Sequence, residues 1–305
     1  MSLRLEMLQV ARLAPKTLGD STQLVRDFIL RQQNADGGFK DRSGQSDLYY
    51  TVFALDALIA LQAELPVGLV GPFVQRFGTG EALDFVHLCC LARSWCALRT
   101  PHSSQTPHSA LRTPHSLDPA ALARRIETFR TPDGGYNVIA QSKSGTAYAA
   151  FLALGAYQDL GLALPEPLKL VQSLKFLETD DGAWANDRNM KRGSTNATAA
   201  AVTVLRQLNQ PINASVADWL LARVHPEGGF RASADVPLPD LLSTATALHA
   251  LAGLQAPFQA IKERCLDFID TLWTNEGSFH GHWGDDFLDT EYTFYGLLAL
   301  GNLSV

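Results

Sequence analysis

The stretch FHGHWGDDFLD (279–289) concentrates side chains that could do chemistry. It sets His280 and His282 one residue apart, with Asp285 and Asp286 just beyond. A His-x-His pair beside carboxylates is a plausible donor set for a borderline metal, so His280, His282 and Asp285 are candidate ligands. A second signal is a pair of charges, Asp56 and Arg93, each inside an otherwise apolar run. A lone charge there would cost several kcal/mol, so the two are expected to pair as a structural salt bridge. His87 and His249 also stand within apolar runs. The four cysteines (Cys89, Cys90, Cys96, Cys265) have neither metal-site spacing nor a disulfide framework. They read as free thiols of a cytoplasmic protein.

What positions these groups is a repeat. A glycine turn followed by a capped apolar run occurs at 32–58, 132–154, 180–205, 226–251 and 275–300. The first turn glycines are Gly37, Gly134, Gly182, Gly228 and Gly277, a period of 46 to 49 residues once the double first step is allowed for. That double step predicts a worn unit between them, and 76–98 fits it. A period of this size signals stacked supersecondary units. Each post-turn run begins at a cap-type residue: Asp47, Asp84, Ser144, Thr195, Asp240 and Asp289. These runs carry almost no charge, which suits helices buried on both sides. Each is preceded by an amphipathic run with one wet face. Six such pairs predict an all-α fold, an (α/α)6 barrel or toroid, with inner and outer rings and a central cavity. The chain reads as one domain over 1–305. The tandem TPHS segment at 100–116 reads as a disordered insertion.

Two stretches carry a family resemblance. GGFRASADVPLPDLL and LDTEYTFYGLLAL resemble paired segments in the beta subunits of protein prenyltransferases. Those proteins belong to the prenyltransferase/squalene-cyclase repeat superfamily, and the resemblance spans nearly the whole chain. It implies an isoprenoid diphosphate or similar lipid in the cavity, prenyl transfer or processing, and a helical alpha-type partner subunit. It also implies a zinc held by Asp, Cys and His of the two segments. On this chain those positions are Asp240, Leu242 and Tyr292. Catalytic zinc takes about three protein ligands, so a zinc of the family type is not expected, and no cofactor is assigned. Asp240 and Tyr292 remain the candidate catalytic positions. Lys191, Arg192 and Arg231 are the bases available for a diphosphate. The D-x-D-D run of class II terpene cyclases is absent; ETDD (178–181) is the nearest.

Aligning the inner helices on their caps predicts a lining at three, six and nine residues past each cap. This column gives Tyr50, Phe53, His87, Thr246, His249 and Tyr295 as substrate contacts, with Tyr148 beside them. It makes units three to five small-lined and units six and one aromatic. Such a pocket suits a lipid ligand. The alternative is a non-catalytic lipid-binding or scaffold protein. A formal charge of −6 argues against a nucleic-acid partner, and no run is long and apolar enough for a transmembrane segment. Deleting 100–116 should leave the melting temperature nearly unchanged, since a disordered loop contributes little beyond closure entropy. A loss of several kcal/mol in a denaturation series would show that the segment packs.

Overall fold

A computed structural model of the chain describes residues 1–99 and 117–304. The segment 100–116 therefore lies outside the described residues. Two helices open the chain, α1 (Leu3–Ala11) and the single turn α2 (Pro15–Leu18). Helices then alternate between rings. The outer ones are α3 (Thr22–Arg31), α5 (Val67–Gln75), α7 (Pro119–Glu127), α9 (Pro167–Lys175), α11 (Ser215–Leu221) and α13 (Lys262–Leu272). The inner ones are α4 (Leu48–Ala60), α6 (Phe85–Arg99), α8 (Ala147–Leu160), α10 (Thr195–Gln207), α12 (Leu241–Gly253) and α14 (Thr290–Leu303). Each inner helix packs against the next, and α14 packs back on α4, so the ring closes. The worn unit is real: α6 starts behind Asp84, whose Oδ1 accepts the His87 N–H at 2.9 Å.

The turns that join the rings use the repeat's own residues. The aromatic two residues after each first turn glycine is a buried anchor: Phe39, Tyr136, Trp184, Phe230 and Phe279 are all at most 4% exposed. In three units its N–H donates to a threonine four residues past the cap: Phe39 to Thr51 Oγ1 (3.0 Å), Trp184 to Thr198 (3.1 Å) and Phe230 to Thr244 (2.9 Å). Two-residue hairpins finish the turn, Phe39 opposite Asp47 and Phe230 opposite Asp240, so anchor and cap share one register. Gly37 has φ +95°, and a Cβ there would sit 2.0 Å from the Leu69 carbonyl oxygen of α5. Gly277 stands likewise against Leu24 of α3 at 2.2 Å, seating the last turn on the first outer helix. A side chain at either point would strain the backbone and collide with the neighbouring unit.

Two caps differ from expectation. The N-cap of α8 is Thr146, not Ser144, and that of α10 is Ser194, not Thr195. Both stretches hold several adjacent hydroxyl residues, and cap preference alone does not choose among them. Placement of the anchor decided it: Tyr136 and Trp184 accept the N–H of Thr146 and Ser194 at 2.9 Å, fixing the start of each helix.

The larger surprise is α1, which lies across the C-terminal ends of the inner helices and packs on α14, α4 and α8. The Leu3 N–H donates to Gln158 Oε1 of α8 at 2.8 Å, and Gln207 of α10 donates to Glu6 at 3.0 Å. Arg206 also pairs with Glu6. Gly301 lets the α14 backbone approach Val10, whose carbonyl oxygen would be 2.1 Å from an added Cβ. The barrel thus has a floor built from the chain's own N-terminus.

That floor changes the expected ion pair into a triad. Arg93 Nε donates to Asp56 Oδ2 at 2.6 Å, as the spacing predicts. Arg4 of α1 donates from Nε to Asp56 Oδ1 at 2.9 Å. Asp56 is fully buried and Arg4 is 2% exposed. Asp56→Leu should therefore strand two guanidiniums and cost at least the about 3–5 kcal/mol of a broken buried pair. Adding Arg93→Met should recover little, because Arg4 stays charged and has lost the carboxylate it is hydrogen-bonded to. Adding Arg4→Met as well should recover most of the loss. Urea denaturation of the three variants checks this; full recovery in the Asp56→Leu, Arg93→Met protein would remove Arg4 from the network.

Candidate functional site

A cavity of about 270 Å³ runs along the barrel axis between the floor helix and the N-termini of the inner helices. With the caps correctly placed, its wall follows a simple rule. Positions six past the cap all line it: Phe53, Cys90, Leu152, Ala200, Thr246 and Tyr295. Two past the cap, Tyr49, Val86, Tyr148, Asn196 and Leu242 line it, and nine past the cap, Arg93, Gly155, Thr203, His249 and Leu298. The spacing of four, then three, keeps one helix face inward. The upper column was expected at three past the cap, one residue too far. Tyr50, His87 and Tyr292 accordingly turn out of the cavity to its rim.

The wall is lopsided, but differently from expectation. Unit three presents Tyr148, Phe151 and Leu152 rather than alanines; Ala147, Ala150 and Ala153 are fully packed on its other side. The misplaced cap caused that error. Small residues dominate at α10, with Ala199, Ala200 and Thr203. Opposite, Phe53 sits with its ring centroid 5.0 Å from Tyr49 and 5.4 Å from Tyr295, forming an aromatic cluster. The lining is mostly apolar, and its polar atoms gather at the two ends.

At the mouth, Tyr49 Oη donates to Glu291 at 2.6 Å. Burial pushes the Glu291 carboxyl up to about 7, against the pull of that hydrogen bond. Neither residue was expected, although Glu291 stands two past its cap, in the column that lines the wall elsewhere. Arg42 reaches over from the first turn to Asp285 (3.0 Å) and Asp289 (2.9 Å), with its guanidinium 5.4 Å from the Tyr292 ring centroid. Asp240 caps α12: Oδ1 accepts the Ser243 N–H and Oδ2 its hydroxyl, both at 2.7 Å. Burial raises its carboxyl above the ordinary range.

These contacts bear on the metal candidates. Both oxygens of Asp240 are engaged, Leu242 carries no donor, and Tyr292 lies against Arg42. The family's zinc positions do not fit a zinc ion. In the mouth loop, Asp285 is held by Arg42, and His282 Nδ1 accepts the Gly284 N–H at 3.0 Å. Among the described residues, no three His, Cys, Asp or Glu side chains converge in a metal-binding group. His280, His282 and Asp285 are not brought together as one.

Five expected contacts line the cavity: Phe53, Tyr148, Thr246, His249 and Tyr295. Lys191, Arg192 and Arg231 do not. Lys191 is exposed, Arg192 pairs with Asp235 at 3.0 Å in solvent, and Arg231 lies in the turn hairpin after Phe230.

His87 holds two caps together instead. Its Nε2 lies 3.0 Å from Asp47 Oδ2 and its Nδ1 2.9 Å from Asp84 Oδ1, joining the starts of α4 and α6. The hydrogen bond to Asp47 leads in raising the imidazole from 6.5 to about 9, with burial opposing and Asp84 assisting. A raised folded pKa means that protonation stabilises the fold. That stability is complete below pH 6.5 and is lost as pH rises through about 9. His87→Gln should lower the melting temperature at pH 6 to 7, and the gap to wild type should close near pH 10. A gap independent of pH would show that the bridge carries no charge.

No curated protein sequence matches the chain. Solved structures do. A variant of the type II terpene cyclase MstE from Scytonema, in complex with its substrate geranylgeranyl dihydroxybenzoate, superposes with a TM-score of 0.59 at 14% identity, covering 95% of this chain and 97% of that one. Another MstE variant, in complex with its product merosterolic acid A, gives 0.59 at 15% identity over the same shares. Protein geranylgeranyltransferase-I of Candida albicans complexed with GGPP gives 0.47 at 16% identity, covering 98% and 82%. At these identities the two MstE superpositions show a likeness of fold alone. The prenyltransferase alpha-alpha toroid domain family matches residues 5–91 and 195–303, more than half of the sequence. With its glycine-turn repeats, closed inner ring and central cavity, this chain belongs to that family.

Proposed function

We propose that the chain binds an isoprenoid or similarly elongated apolar molecule in the central cavity. One observation carries this reading: the wall between mouth and floor is apolar and aromatic, with Tyr49, Phe53, Tyr148, Phe151 and Tyr295 facing small residues of α10. Aromatic faces on one side and alanines on the other leave a slot for a hydrocarbon chain. Its volume lies just below the roughly 300 Å³ at which ligand pockets commonly begin, so a short isoprenoid fits better than a long one. The likeness of fold to MstE, solved in complex with its substrate geranylgeranyl dihydroxybenzoate, supports the same reading. The reading needs no zinc and no partner subunit.

A second reading, acid chemistry on the bound chain, is favoured by Glu291. A carboxyl with a pKa of about 7, hydrogen-bonded to a tyrosine of the wall, is half protonated near neutrality and suited to general-acid work. Under it, Glu291→Gln keeps binding and loses turnover of a polyene substrate. Equal turnover by both proteins would leave binding alone as the function.

The cavity itself is tested at Ala200. Ala200→Phe places a ring in the slot, where room exists, so the melting temperature should hold or rise. Farnesol binding, followed by native mass spectrometry or tryptophan quenching, should weaken at least tenfold. Unchanged binding would place the ligand elsewhere.

A further inference from the structure

The floor of the cavity is polar, and the apolar slot above it does not account for that. Arg4, Arg93, Asp159 and His249 face the cavity from α1, α6, α8 and α12. Behind them stand Asp56 of α4, Glu6 of α1 and Arg206 of α10. The bonds here are unevenly distributed. Arg4 gives Nε to Asp56 and points Nη1 at Cys96 Sγ, 3.9 Å away, while its Nη2 is buried and has no hydrogen-bond partner among the described residues. Both ring nitrogens of His249 are in the same condition; the nearest carboxylate oxygen, Glu6 Oε1, is 3.7 Å from Nε2. His249 is 5% exposed. Buried polar atoms are nearly always paired, and leaving one unpaired costs about 1–3 kcal/mol.

We infer that the cavity takes its ligand head-down, with a carboxylate head seated on Arg4 Nη2 and His249 at the floor and the apolar chain rising between Phe53, Tyr295 and Tyr148. This rests on the reading of the cavity as an isoprenoid site and adds the class of the ligand: an isoprenoid carboxylic acid. The charges balance as they stand, so they admit one negative head only where one of the floor carboxyls is neutralised. The floor holds three guanidiniums and the carboxylates of Asp56, Glu6 and Asp159. Burial pushes the Asp159 carboxyl up to about 6, with Arg4 and Arg93 pulling it down. Asp159 is therefore the anion that yields most readily: it takes up a proton when a ligand carboxylate arrives at the same guanidiniums. Burial lowers the pKa of His249, leaving a neutral ring that can donate from one nitrogen. A diphosphate carries more charge than one yielding carboxyl can offset, and burying the surplus is costly.

Three probes with one tail separate the possibilities: farnesoic acid, farnesol and farnesyl diphosphate, titrated into the full-length protein near neutral pH. Farnesoic acid is expected to bind at least tenfold more tightly than either of the others. Arg4→Gln should reduce the preference for acid over farnesol to within threefold. Because Arg4 also holds the floor, that variant is scored only if its circular dichroism matches wild type. Asp159→Asn provides an independent arm: removing the competing carboxylate should raise the acid-over-alcohol preference several-fold. Equal binding of acid and alcohol, or an unchanged preference in Asp159→Asn, overturns the head-down inference while the cavity reading stands. Diphosphate binding more tightly than acid also overturns it. If none of the three binds, the cavity reading falls and this inference with it.

Discussion

The carboxylate of Asp56 is the constraint on which the rest depends. It lies at the inner end of α4, fully buried, and it cannot stay ionised there without partners. Arg93 reaches it from the neighbouring inner helix and Arg4 from α1. One anion thus ties two staves of the barrel to the helix that closes its base. Without that tie, α1 would be a nine-residue helix with one apolar side and little intrinsic stability. With it, Leu3, Met7 and Leu8 pack as core, and the barrel is blind at one end.

A blind barrel explains where the polar groups sit. Between the ends the inner helices must pack against one another, and apolar residues do this without desolvation cost. At the mouth, helix N-termini demand acceptors, and Asp47, Asp84, Asp240 and Asp289 supply them. Most acidic residues of the mouth are spent in this way, which is why no metal-binding group forms there among the described residues despite its His and Asp content. At the floor the need is different. Charges there serve α1, and the two residues with buried atoms left unpaired, Arg4 and His249, are part of the cavity lining. Residues that hold α1 in place therefore also line the base of the cavity.

The repeat also explains how a chain with such uneven units closes. Each turn is fixed by its own anchor and cap, and four of the five first turn glycines press on the outer helix of the next unit. Gly182 is the exception, with nothing within 4 Å of an added Cβ. Nearest-neighbour contacts of this kind let single units drift, as unit two has, while the ring stays shut.

Much of this was legible in the sequence. The period, the glycine turns, the amphipathic outer runs and the uncharged inner runs determined a toroid, because each is a local consequence of helix geometry and burial. The pairing of Asp56 with Arg93 followed from the cost of a lone buried charge. The fine register was not legible. Several hydroxyl residues before α8 and α10 could cap equally well, and only the docking of Tyr136 and Trp184 selected Thr146 and Ser194. That choice rotated Tyr148 and Phe151 into the cavity and three alanines out of it. The column two past the cap, with Tyr49 in the wall and Glu291 beside it, was likewise hidden, since two and three past a cap lie 100° apart on the helix and only the ring axis decides which faces inward. Least visible was the floor. Nothing in the local pattern of SLRLEMLQVA says that Arg4 meets Asp56 or that Glu6 meets Arg206. Those contacts span 52 and 200 residues of chain, and closure of the ring alone brought them within reach.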